Sequence, residues 1–339
     1  MSHRNNFRKR DLAYATSLIH AVLEDAGQNN IIEETRQSFE EVGLLDAIQR
    51  HDDDALYNWL AEAISYQGIS DSVAAGYIRE HGSIEAADIR AALDRPHGCS
   101  KLTSFSHFED CGFSKSNRTC NKPRHFKRCP LPRHDLRNGN LNRASYSLYL
   151  FMRDVAGGDL VAWIDERLAL ADRAREGRRA QRLRDALVIP LRDIFGVSDK
   201  LLNMSLACLL LAGDQNRKLW VDAGAGMIAV DSLVHNWFRR SGILIRLRSE
   251  HPYGPHCYGP TGCATIIEAA ASQIDARYFN PTFPKVFPRF VQNGIWRLCA
   301  GVEFNRCNGN HIDDSARCED KTCPIFKRCG RIALNPSPR

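Results

Sequence analysis

The twelve cysteines of this chain constrain its fold more than any other feature of the sequence. Most lie in two groups of four, one after position 96 and one near the C-terminus. The first residues, MSHRNNFRKR, are basic but no apolar segment follows them, so we expect no export signal. Thiols in a reducing compartment stay free for metals or catalysis. Metal binding is therefore the first hypothesis for these groups.

The C-terminal group has the pattern Cys307-x10-Cys318-x4-Cys323-x5-Cys329. Four thiolates so close in sequence suit a tetrahedral zinc ion and a cubane iron-sulfur cluster equally well. The spacing alone does not choose between the two, but it predicts that all four cysteines are metal ligands.

The other group lies in a segment, residues 97–140, that is polar, basic and without apolar periodicity. Its cysteines are Cys99, Cys111, Cys120 and Cys129, with His97, His107, His125 and His134 between them. A structural metal can supply about 10 kcal/mol of folding free energy to such a segment. We expect a second metal site here, with either zinc or a second iron-sulfur cluster. The remaining cysteines, Cys208, Cys257, Cys263 and Cys299, receive no role, although LACLLLA places Cys208 in a helix core.

Elsewhere the sequence predicts an all-α protein, because apolar residues recur three and four positions apart. The segments with this period are Leu12–Leu23, Leu56–Ile64, Val73–Ile78, Ala144–Val155, Leu160–Ala171 and Leu201–Leu211. With 43% hydrophobic and 25% charged residues the composition is that of a globular protein. The longest apolar run, Met204–Ala212, is too short to span a bilayer, so no membrane partner is expected.

The formal net charge of +6 favours an anionic partner, since lysine and arginine side chains that neutralise phosphates release counterions. The arginine-rich run from Arg173 to Arg184 is more typical of a solvated helix face than of a DNA track. Charge alone is therefore a weak indication of nucleic-acid binding.

A more specific indication is IFGVSDKLLNMSLACLLL (Ile194–Leu211). A tight turn at Gly196 would let backbone N–H groups at a helix N-terminus face a phosphate. The segment resembles the helix-hairpin-helix motif of DNA glycosylases of the endonuclease III type, with Ser198 in place of the second turn glycine. The resemblance implies that Gly196, Val197 and Ser198 contact DNA and that Lys200 is the catalytic lysine.

Three further segments are similar to that family. In MIAVDSLVHNWFRRSGI (Met227–Ile243), Asp231 occupies the catalytic aspartate position, although alone it would be read as an N-cap. In AISYQGISDSVAAGYI (Ala63–Ile78), Gln67 would fill the gap left by an extruded base, or would simply be a turn amide. The C-terminal cysteines resemble the family's 4Fe-4S ligands, with longer first gaps.

The resemblance implies an all-α fold of two helical domains with the active site between them. A six-helix barrel is expected over residues 51–231, containing the cysteine-rich insertion 97–140 and the helix-hairpin-helix 186–212. Residues 1–50 are expected to pack with an iron-sulfur cluster domain formed by residues 232–339.

The implied function is a DNA base-excision glycosylase with AP lyase activity, acting on double-stranded DNA through a Schiff base on Lys200. Two alternatives stay open, a monofunctional glycosylase in which Asp231 activates water, and a non-catalytic DNA-binding metalloprotein. We expect a cytoplasmic, nucleoid-associated monomer. The sequence leaves open which damaged, mismatched or modified base is removed.

Overall fold

The chain folds almost entirely into α-helices, as its apolar periodicity predicts. A computed structural model describes residues 7–27, 30–66, 71–95, 99–108, 110–114, 119–120, 140–174 and 178–336. In these ranges the helices are α1 (Lys9–Ala26), α2 (Ile31–Glu41), α3 (Leu44–Gln49), α4 (Asp53–Ser65), α5 (Asp71–His81), α6 (Ala86–Asp94), α7 (Phe105–Phe108), α8 (Asn140–Asp154), α9 (Leu160–Arg173), α10 (Arg179–Leu191), α11 (Asp199–Ala212), α12 (Lys218–Ala225), α13 (Ser232–Arg240), α14 (Ile243–Leu247), α15 (Cys263–Ala271) and α16 (Pro288–Cys299). Each of the six predicted helical segments coincides with one of them, and the all-α class is confirmed.

The described part of the cysteine-rich segment contains only short elements. These are a 3-10 turn at Ser100–Leu102, helix α7, and two strands of two residues each, β1 (Phe113–Ser114) and β2 (Thr119–Cys120). The strands are antiparallel, with Phe113 opposite Cys120. This ribbon is the one departure from an all-helical pattern in the described ranges.

The chain divides into two compact units. One consists of residues 35–220, and the other joins the residues up to 34 with those from 221 onward. The boundaries expected from the sequence were at 50 and 231. We describe the two as the 35–220 unit and the two-segment unit.

In the 35–220 unit, helices α4, α8, α9, α10 and α11 surround an apolar core. Tyr57 is buried and donates its hydroxyl proton to the Ser145 carbonyl at 3.1 Å. Pro190, in the last turn of α10, has no N–H to donate to the Ala186 carbonyl. The Arg167 Nε on α9 donates to that carbonyl instead, at 3.3 Å. The end of α10, where the hairpin begins, is therefore tied to α9.

In the two-segment unit, α1 packs against α14, α15 and α16, and α16 packs against α13. Gly294 permits the close approach of α16 to α1, because a Cβ there would meet the Leu23 side chain at 2.5 Å. Trp237 and Phe238 on α13 are buried in the same core. This packing fixes α13, the helix that follows Asp231.

None of the helices in the described ranges is both long enough and apolar enough to cross a membrane.

Candidate functional site

The segment that resembles a helix-hairpin-helix forms two packed helices, α10 and α11, joined by a short turn. Gly196 is exposed in this turn and has φ +74°, a conformation that a side chain disfavours. Ser198 caps α11, its Oγ accepting from Leu201 N at 3.4 Å. The Phe195 N–H donates to the Ser147 Oγ at 3.0 Å, which attaches the turn to α8. The turn is thus a fixed feature of the 35–220 unit.

Lys200 is the second residue of α11 and is half-buried. Its neighbour Asp199 is held by the Arg192 guanidinium through two contacts of 2.6 and 3.1 Å. Within the described ranges, the Lys200 ammonium group makes no ion pair or hydrogen bond with another residue. Lys200 thus lies at a helix N-terminus, the end at which the macrodipole disfavours a cation. The negative charge of the adjacent Asp199 is already neutralised by Arg192.

Asp231 is the N-cap of α13, as the local sequence indicates. Its Oδ1 accepts from the Val234 N–H at 2.8 Å, and the side chain is half-buried. The preceding residue is fixed as well, since the Val230 N–H donates to the Tyr258 hydroxyl at 3.0 Å. Burial, and then the negative charge of Asp231, raise the pKa of Tyr253, which places that phenol near the carboxylate.

The four C-terminal cysteines line one cavity in the two-segment unit. Cys307, Cys318, Cys323 and Cys329 share its wall with Trp237 and Arg240 of α13. Burial raises the pKa of Cys323 to about 12 and that of Cys329 to about 11. Ionising these thiols therefore requires a strong positive partner. The backbone supports the site, since the Arg331 N–H donates to the Cys329 Sγ at 3.3 Å.

The cavity wall also contains buried polar atoms that suit an anionic group. Arg240 is 2% exposed, and one of its amino groups pairs with Asp314. Its Nε and Nη1, and the indole Nε1 of Trp237, have no hydrogen-bond partner among the described residues. Buried polar groups rarely stay unpaired, so the cavity fits an occupant that is negative and accepts hydrogen bonds. A cluster held by four thiolates has that character.

Cys299, which the sequence left without a role, lies beside this site. It ends α16, is fully buried, and contacts Cys307. The contact with Cys299, and then the charge of Arg240, lower the pKa of Cys307, although burial acts in the opposite direction. Burial raises the pKa of Cys299. The structure thus adds a fifth cysteine to the surroundings of the four predicted ligands.

A second group was missed by the sequence reasoning. His235, His251, Cys257 and Cys263 place their ligand atoms within 4.8 Å of one another and can hold a metal ion. Cys257 and Cys263 are fully buried and His235 is 2% exposed. No other set of three or more histidine, cysteine or acidic side chains in the described ranges is this compact. The available signal was two cysteines in a loop without apolar periodicity, the same pattern that singled out residues 97–140.

Several predicted site residues lie outside the described residues or are described only in part. Gln67 and Cys129 are outside the described residues, as are His97, His125 and His134. Cys120 is described only as part of β2, whereas Cys99 is buried and Cys111 half-buried. The second metal site predicted for the insertion therefore stays a prediction.

Lys200 belongs to the 35–220 unit and Asp231 to the two-segment unit, and each is held by the local structure of its own unit. Comparison of the chain with protein-family models, with curated proteins and with solved structures gave no match.

Proposed function

We propose that this protein is a DNA glycosylase of the endonuclease III type with AP lyase activity. The observation that carries the proposal is the hairpin of α10 and α11. A glycine at φ +74° and a serine cap precede a helix whose second residue is Lys200. The architecture proposed with it is a six-helix barrel in the 35–220 unit and a cluster domain in the two-segment unit.

The hairpin supplies the proposed grip on DNA. The N-terminus of α11 carries the positive end of the helix macrodipole, which attracts a phosphate. Gly196 and Ser198 are exposed at this end, so the backbone of a nucleic acid can approach the turn closely. Contacts of this kind position DNA without reading its sequence.

Cys307, Cys318, Cys323 and Cys329 are the residues proposed to hold a 4Fe-4S cluster. The fit rests on their shared cavity and on the unpaired Arg240 and Trp237 nitrogen atoms. The cluster would act there as an anionic anchor for the irregular chain after α16. The base-removal steps belong to side chains of the protein.

The proposed reaction begins with a nucleotide that has left the base stack, which costs least for damaged or mismatched bases. The Lys200 amine attacks C1′ of the deoxyribose, the N-glycosidic bond breaks, and the base leaves with a proton. The sugar ring then opens, giving an imine between Lys200 and C1′. Loss of a C2′ proton breaks the C3′–O bond and cuts the strand, and water finally hydrolyses the imine to free the lysine.

Asp231 has two roles in this proposal. By the resemblance to the glycosylase family, its carboxylate is the base for the proton that the Lys200 ammonium must lose before it can attack. It also stabilises the positive charge that develops on the sugar as the base departs. The N-cap bond to Val234 keeps one carboxylate oxygen in place and restricts the orientation of the group.

Borohydride trapping tests the proposal directly. The wild-type protein is incubated with a panel of duplexes, each carrying one damaged, mismatched or modified base, and the imine is reduced during turnover. We expect a covalent protein–DNA adduct with at least one duplex, and its loss in Lys200→Ala. Lys218→Ala is the matched control, because Lys218 is an exposed lysine that begins another helix, α12.

Two other outcomes would point elsewhere. Normal base release by Lys200→Ala, with strand cleavage alone lost, would mean that Asp231 activates water in a monofunctional glycosylase. An absence of base release from every duplex in the panel would contradict a glycosylase and favour a DNA-binding metalloprotein.

A further inference from the structure

The His235, His251, Cys257 and Cys263 group is assembled from three separate parts of the two-segment unit. His235 lies on α13, His251 and Cys257 lie in the loop 249–262, and Cys263 is the first residue of α15. Convergence of four such side chains from distant positions requires the packing of α13 and α15 around this loop.

Three nitrogen–sulfur distances within the group match those around one tetrahedral ion. His235 Nδ1 is 3.5 Å from Cys257 Sγ and 3.6 Å from Cys263 Sγ, and His251 Nε2 is 3.5 Å from Cys263 Sγ. With Zn–S near 2.3 Å and Zn–N near 2.0–2.1 Å, a tetrahedron sets sulfur and nitrogen ligands about 3.6 Å apart. All three separations agree with that value.

The hydrogen bonds of the two histidine rings also support a bound metal ion. His251 Nδ1 lies 2.6 Å from the Ser249 carbonyl, so that nitrogen carries the proton and donates it. The lone pair on Nε2 is then directed at the thiols, which is the arrangement that metal-binding histidines take when a carbonyl fixes their tautomer. His235 Nδ1 faces two sulfur atoms at once, whereas a single lone pair accepts only one hydrogen bond.

The burial of these side chains argues against a cluster held together only by hydrogen bonds between its members. Cys257 in the loop and Cys263 at the start of α15 are fully buried, although the loop sequence SEHPYGPHCYGPTG has little apolar content of its own. Ordering such a segment costs conformational entropy, and a bound structural ion supplies folding free energy to offset it. Gly262 allows the loop to close, because a Cβ there would overlap the carbonyl oxygens of His256 and Cys257.

We propose that His235, His251, Cys257 and Cys263 bind one Zn²⁺ ion in a closed, structural site. Two thiolates and two imidazoles are a tetrahedral ligand set typical of zinc. Four protein ligands leave no position for water or substrate, so the ion holds the loop and performs no chemistry.

The loop held by the ion braces the segment before α13. Tyr258, next to the ligand Cys257, accepts a hydrogen bond from the Val230 N–H, one residue before Asp231. The zinc ion is thus a positioning element for the start of α13. Its presence is independent of whether the protein acts on DNA, so the zinc test and the trapping test can fail separately.

Metal analysis of the full chain tests the site. Wild-type protein purified without chelators is expected to contain one zinc ion bound by these four ligands, in addition to any zinc held by the cysteines of residues 97–140. Cys257→Ser and His251→Ala should each lose most of this zinc. Matched controls are Cys208→Ser, a half-buried cysteine on α11, and His256→Ala, an exposed histidine in the same loop, and both should keep it.

A second measurement covers variants that fail to fold. Wild-type protein produced with Co²⁺ in place of zinc should have the intense visible bands of a tetrahedral cobalt–thiolate centre. Wild-type protein without zinc, zinc retained by folded His251→Ala, or iron at this site in place of zinc would each overturn the proposal.

Discussion

Two cysteine-rich sites in the same unit differ in how closely they bring their ligands together. In the His235, His251, Cys257 and Cys263 group all ligand atoms lie within 4.8 Å of one another. The four C-terminal cysteines do not form such a group among the described residues, and they line a cavity that has the cationic Arg240 at its wall. A compact set with imidazoles suits one divalent ion, whereas a wider set of thiolates beside a cation suits a larger anionic cluster. The three-dimensional arrangement of the ligands therefore distinguishes two proposed metal centres that the number of cysteines alone does not distinguish.

The largest effect that would sharpen this comparison is expected from Cys318→Ser. Cys318 is buried at the cavity, and loss of a cluster ligand should remove most of the iron and reduce the free energy of unfolding by about 5 kcal/mol or more. Iron and zinc contents and denaturant unfolding measure the outcome. Zinc content should stay unchanged, and loss of both metals together would mean that the sites do not form separately.

A smaller loss is expected from Arg240→Met. The substitution removes the buried charge beside Cys307 and leaves Asp314 without its partner, at a cost of about 3 kcal/mol. Chemical denaturation measures the change, and iron should also be lost faster to a chelator. Arg239→Met is the control, because Arg239 is an exposed neighbour on α13. Equal losses of stability and iron in the two variants would mean that Arg240 does not stabilise the cluster site.

The compact site can be perturbed without touching a ligand. Gly262→Ala introduces a Cβ against two carbonyl oxygens and should cost about 1–3 kcal/mol through overpacking. Gly259→Ala is matched to it, since both glycines have φ near −70° and a Cβ at Gly259 would lie 3.2 Å from the His256 carbonyl oxygen. In competition with a zinc chelator, wild type should retain the most zinc, Gly259→Ala less, and Gly262→Ala the least. The reverse ranking of the two variants would contradict the described loop.

The smallest effect is expected from Tyr258→Phe, which removes the hydroxyl group that accepts a hydrogen bond from Val230 N, a bond that contributes about 1 kcal/mol. Thermal unfolding should shift slightly, with both metals retained at wild-type levels. A loss of zinc in this variant would mean that Tyr258 supports the ligands as well as the start of α13.

The helices and the hairpin could be predicted from the sequence because their signals are local. Periodic apolar residues determine a helix such as α9, and Gly196 and Ser198 mark the turn and cap of α11 within three residues. The cap role of Asp231 was predicted for the same reason, since an N-cap is satisfied by the next turn of its own helix.

The compact metal group could not be predicted in the same way. His235 belongs to a helix whose sequence indicates only an amphipathic surface, and its contact with Cys263 depends on how α13 and the loop pack. Cys257 and Cys263 lie in a loop whose prolines and glycines indicate only an irregular segment. Residues brought together by tertiary packing leave little signal in their spacing.

X-ray absorption at the zinc and iron edges of one sample tests the two-centre account most directly. The account predicts equal numbers of sulfur and nitrogen neighbours around zinc, at about 2.3 and 2.0–2.1 Å, and iron surrounded by sulfur with further iron atoms beyond. Zinc bound by sulfur atoms alone, with no iron in the sample, would contradict the account, because neither the mixed sulfur and nitrogen site nor the iron-sulfur cluster would then be present.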